Sequence, residues 1–132
     1  MPYIRLFVPR ISADQKREIA HNMTDSVLQV LKMPSEARDW LTIQFITYAP
    51  DDLAVGGVLV SEGAAPEFYI DYIDLETNQH IKEELAHGVS NVVGNAFKLE
   101  PGQFGRVSFR FQALSPDEIA MGGHFVRKLI TQ

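Results

Sequence analysis

A chain of 132 residues with 45% hydrophobic and 22% charged residues is of a size and composition to bury one sizeable core. It has no cysteine, which excludes disulfides and thiolate metal sites, and its net charge of −5 argues against a nucleic-acid partner. Its four histidines show no close ligand spacing, and no apolar run approaches the roughly 18 residues of a membrane span, so neither a metal nor a membrane is expected, while the lack of cysteine makes a cytoplasmic location the expectation.

Met1-Pro2-Tyr3-Ile4-Arg5-Leu6-Phe7-Val8 reads as an apolar strand that Pro9-Arg10 interrupts. Initiator methionine is removed when a small residue such as proline follows, so the mature chain is expected to begin with the secondary amine of Pro2. A free N-terminus titrates at about 7.7–8.0, and an apolar pocket or a nearby cation pushes it down. A neutral, oriented amine near pH 7 is a good general base.

Ser12 with Gln15 forms a capping-box pattern, and Ile19, Met23, Val27, Val30 and Leu31 follow at amphipathic-helix spacing. Met33-Pro34 ends that helix. A strand is expected from about Trp40 to Tyr48, then a turn at Pro50-Asp51-Asp52 and a short strand or hairpin arm around Gly56-Gly57. Residues 61–66 have linker composition.

The chain then repeats itself. A shift of 66 residues sets Tyr3-Ile4 on Tyr69-Ile70, Ala20-His21 on Ala86-His87, Lys32 on Lys98 and Gly56-Gly57 on Gly122-Gly123. About fifteen of roughly sixty aligned positions are identical. The reading is therefore a single α+β, two-layer domain over 1–132 made of two β-α-β pseudo-repeats, 1–60 and 67–126. It predicts a four-stranded mixed sheet with two helices on one face and short Gly-Gly arms. Strands apolar on both alternating faces predict burial of the second sheet face against copies of the same chain.

In a β-α-β unit the helix ends near the start of its strand, so Lys32, Arg38, Asp39 and Trp40 are expected around Pro2. Lys32 fits equally a cation at a helix C-terminus, Arg38 a solvated loop charge, and Trp40 a core residue. The second half offers Phe68 in place of Pro2. Arg106 and Arg110 are the cations expected to line a neighbour's pocket, Arg110 as a buried charge on an apolar strand. The alternative for Arg110 is an intersubunit salt bridge to Asp71 or Asp74.

A Met-Pro start, the motifs Val8-Pro9-Arg10, Lys32-Met33-Pro34 and Ala54-Val55-Gly56-Gly57, and the tandem β-α-β pattern together resemble the tautomerase superfamily of 4-oxalocrotonate tautomerase and macrophage migration inhibitory factor. The resemblance implies a homotrimer and a cofactor-independent tautomerase, with Pro2 moving a proton in a small α-keto acid. It matches Lys32 to an active-site lysine and sets Arg10 one residue away from a substrate-binding arginine. A non-catalytic trimeric interaction protein is the alternative. A hydratase or dehalogenase is another, with Asp39 as the water-activating carboxylate.

Overall fold

A computed structural model of the chain describes residues 2–130. Strand β1 (Tyr3–Pro9) leads into helix α1 (Ala13–Leu31), a 3-10 turn (Ser35–Trp40) and β2 (Thr42–Tyr48). A hairpin of β3 (Ala54–Val55) and β4 (Val58–Leu59) follows. The same series then recurs as β5 (Phe68–Leu75), α2 (Gln79–Ala96), a 3-10 turn (Pro101–Arg106), β6 (Val107–Leu114) and the hairpin β7 (Ala120–Met121)–β8 (His124–Phe125). A short helix, α3 (Val126–Ile130), follows β8. The second strand begins at Thr42 rather than Trp40, because residues 35–40 close into 3-10 turns after Pro34.

Backbone angles repeat with the sequence. Ser12 and Asn78 cap α1 and α2 by accepting the Gln15 and Ile81 amides, and the Ser12 cap is the reciprocal box its sequence predicts. Lys32 and Lys98 both take left-handed φ, 54° and 55°. The Gly pairs have φ of 61° and 82° at 56–57, and 60° and 85° at 122–123. Two consecutive positive φ values are the signature of a type I′ hairpin turn, which glycine adopts without a Cβ clash.

The sheet order is β2-β1-β5-β6. β1 and β2 are parallel, as are β5 and β6, while β1 and β5 are antiparallel, making the sheet mixed. The two halves are thus related by an approximate twofold axis between β1 and β5. The inward residues Ile4, Leu6 and Val8 of β1 and Phe68, Ile70 and Tyr72 of β5 meet Ile19, Met23 and Val27 of α1 and Leu85, Val89 and Val93 of α2. Both helices therefore lie on one face. They approach closely at Gly88, where an added Cβ would sit 2.5 Å from the Ser26 Oγ.

Among the described residues no element covers the opposite face. It carries Tyr3, Phe7, Ile46, Tyr69 and Ile73, interleaved with Arg5, Gln44, Asp71, Arg110 and Gln112. It is therefore more polar than strands apolar on both faces would make it. Among the described residues no helix is long and apolar enough to cross a membrane.

Candidate functional site at the head of the first strand

Pro2 is buried, on the same side of β1 as Ile4 and Leu6, which face the helices. Its carbonyl accepts the Thr42 amide at 3.1 Å, which fixes the start of β2 beside it. The C-terminus of α1 and the turn Ser35–Trp40 lead into that point, so Lys32, Arg38, Asp39 and Trp40 belong to the sheet edge that holds Pro2.

Their local settings differ. Lys32 closes α1 with its own amide bonded to the Gln29 and Leu28 carbonyls, while the following Met33 amide also reaches Leu28. This cap occupies only the backbone, and the side chain is exposed. Arg38 is engaged: it pairs with Asp25 on α1 and lies 3.3 Å from the His21 Nδ1. That hydrogen bond holds the Asp25 carboxyl below the usual carboxylate range. Arg38 is thus a partnered charge rather than a solvated one. Trp40 is 60% exposed, so it is not core. Asp39 is exposed on the same turn.

The antiparallel join brings in a group that inspection of the strand and helix patterns missed. Continuing the Tyr3–Ile73 register by one residue sets Asp74 across from Pro2. The Asp74 carboxylate accepts the Tyr72 phenol at 3.1 Å and the Leu75 amide at 2.8 Å. Burial pushes the Tyr72 phenol well above its ordinary value, with the neighbouring Asp74 charge adding to the effect. Val8 is the repeat counterpart of Asp74, so the site is asymmetric between the halves.

The same antiparallel join carries other cations away. Arg10 follows the far end of β1, whose seven residues span about 23 Å at the usual strand rise. Its amide donates to the Tyr48 carbonyl there. Arg106 precedes Val107, which pairs with Phe68 at that same far edge. Arg110 is not buried within the chain. Its side chain is 64% exposed on the open face and pairs with Asp71 of its own chain at 2.6 Å, so the expected salt bridge is intramolecular. Phe68, the counterpart of Pro2, is buried and lies 4.6 Å from the Phe97 ring, filling the equivalent position with aromatic packing.

No protein-family model matches the chain, and no curated protein matches its sequence. Solved structures do match its fold. The native form of a fused 4-OT superposes with a TM-score of 0.85 at 15% identity, covering 96% of this chain and 98% of that one. Coverage is the same for Pt0534, solved after inactivation by 2-oxo-3-pentynoate, with a TM-score of 0.81 at 13% identity. The macrophage migration inhibitory factor of Toxoplasma gondii gives 0.71 at 17% identity, covering 93% of this chain and 98% of that one. The chain has the fold of the tautomerase superfamily. Its mixed four-stranded sheet and tandem β-α-β units match the fused 4-OT fold.

Proposed function

We propose that the chain is a cofactor-independent tautomerase that uses the N-terminal amine of Pro2, freed by loss of Met1, to move a proton in a small α-keto acid. The observation that carries this reading is a proline buried at the head of β1. The helix C-terminus bearing Lys32 belongs to the same sheet edge. The nitrogen takes a proton from the carbon next to the keto group and returns it to the other end of the enol system. Lys32 holds the substrate carboxylate and Trp40 offers an aromatic wall, while Arg38 shapes the rim from its anchor on Asp25. Asp74, with its phenol and amide donors, orients the pyrrolidine from across the strand pair.

The open sheet face and the exposed arm residues Val55, Val58, Met121 and Phe125 support self-association. We assign a homotrimer, in which Arg106 and Arg110 meet the neighbouring copy. Light scattering that returned a monomer at micromolar concentration would remove that part.

The chemistry is tested by intact-mass measurement before and after incubation with 2-oxo-3-pentynoate, together with phenylpyruvate and 2-hydroxymuconate turnover. The expected results are a chain beginning at Pro2, one adduct on the N-terminal peptide and turnover lost in Pro2→Ala. Retained Met1 defeats the proposal, because an acylated nitrogen is not a base. Equal rates in wild type and Pro2→Ala defeat it as well. A second reading, hydration of an unsaturated acid, is favoured by the carboxylate of Asp74 across from Pro2, with Asp39 on the turn before β2 as the other candidate water activator. Activity on a substituted acrylate that Asp74→Asn abolishes would select it.

A further inference from the structure

The twofold relation of the halves makes the two ends of the β1–β5 pair alike in backbone but not in chemistry. At one end Pro2 stands across from Asp74, with Tyr72 two residues back on the same face of β5. A shift of 66 residues carries these three to Phe68, Val8 and Leu6 at the other end. There all three are buried and all three are apolar.

The scaffold thus closes one such end with hydrocarbon alone, so the fold itself does not require the polar pair at the other. Tyr72 has no exposure, and a phenol placed where its counterpart is leucine must find an acceptor. It donates to the Asp74 Oδ2 at 3.1 Å, while the Leu75 amide donates to the Oδ1 at 2.8 Å. The Tyr72 ring is itself fixed, 5.3 Å from Phe111 and 5.8 Å from Phe109. Both oxygens of the carboxylate across from Pro2 are therefore held, one of them by a group locked into the core.

We propose that Tyr72 is a positioning residue for the base at Pro2: its phenol clamps the Asp74 carboxylate across from the N-terminal amine and draws off part of its negative charge. The proposal rests on the reading of Pro2 as the base. A carboxylate beside an amine favours the protonated form, which is useless as a base. A carboxylate that shares its charge with a phenol still orients the amine but opposes its deprotonation less. The other charges at this end are Lys32 on the C-terminus of α1, Asp39 and the Asp25-bound Arg38 on the turn before β2, and Glu76 after β5, held by Lys82 of α2 at 2.6 Å. Tyr72→Phe keeps every one of them, so that variant isolates the phenol.

The amine is titrated directly by the nitrogen chemical shift of Pro2 in the processed chain, and again through the acid limb of kcat/KM for phenylpyruvate. Tyr72→Phe should move both to higher pH by about 0.5, a fraction of the roughly 1–3 that a full charge nearby is worth, because water takes part of the phenol's place. Asp74→Asn should move both the other way. The double variant should match Asp74→Asn, since the phenol acts through the carboxylate. Lost stability by itself moves neither titration. A wild-type amine that responds in this way in a chain that turns over no phenylpyruvate defeats the tautomerase reading and upholds the coupling. An active wild type whose amine is unmoved or moved lower in Tyr72→Phe, or a double variant unlike Asp74→Asn, overturns the coupling alone. Retained Met1 overturns both.

Discussion

Tyr72 is the largest side chain with no exposure, and its phenol is the sole polar group it brings into the core. Its ring packs 5.3 Å from Phe111 and 5.8 Å from Phe109, contacts that Tyr72→Phe keeps. What the variant loses is the hydrogen bond to Asp74 at 3.1 Å. Hydrogen bonds to charged groups are worth about 1.5–3 kcal/mol, and a half-buried Asp74 that retains the Leu75 amide can rehydrate, so the low end of about 1.5 kcal/mol applies. For 132 residues the unfolding entropy is about 0.28 kcal/mol/K, which converts that loss to about 5 °C in Tm.

The pH dependence carries the sharper signature. The folded phenol holds its proton more tightly than the unfolded one, so its contribution is fully present below about pH 10. Above that value the unfolded chain binds fewer protons than the folded chain, and stability falls by about 1.4 kcal/mol per pH unit for this group. Tyr48, whose phenol donates to the Glu67 carbonyl and is also shifted up by burial, adds a slope of its own. Urea unfolding from pH 7 to 11 at one protein concentration should show Tyr72→Phe destabilised at pH 7, with an alkaline slope smaller by one proton. A variant equal to wild type at pH 7, or one with an unchanged alkaline slope, would refute this account of the Tyr72–Asp74 pair.

Two further outcomes follow from the geometry. An alanine Cβ at buried Gly94 would lie 2.5, 2.6 and 3.0 Å from three atoms of the Phe104 ring, so the ring must move by about 1 Å to regain normal contact. Overpacking costs about 1–3 kcal/mol and helix propensity returns about 1, so Gly94→Ala should lose up to about 2 kcal/mol in denaturation, and Phe104→Leu should relieve much of it. If Pro2 is the base, removing the carboxylate across from it takes away an interaction that favours the protonated amine. Asp74→Asn should then move the acid limb of the kcat/KM profile to lower pH, and an unmoved or oppositely moved limb would separate Asp74 from Pro2.

Features carried by nearby residues were legible in the chain itself. Ser12 with Gln15, the stripe from Ile19 to Val27, the stop at Pro34 and the Gly-Gly turns each depend on contacts within a few residues, so local chemistry specifies them. The 66-residue repeat extended that reading to the second half, and Lys32 and Lys98, which it aligns, share a left-handed φ in the structure. Tertiary structure alone decided how the halves join. Antiparallel pairing of β1 with β5 fixes a register between positions some seventy residues apart, and no local pattern encodes that pairing. It sets Asp74 against Pro2, sends Arg10 and Arg106 to the far edge, and places Arg5 beside an aspartate already held by Arg110. Arg38 likewise found Asp25 only once the 3-10 turn had folded back on α1. A side chain's type is written in its own position, whereas its partner depends on where distant strands align.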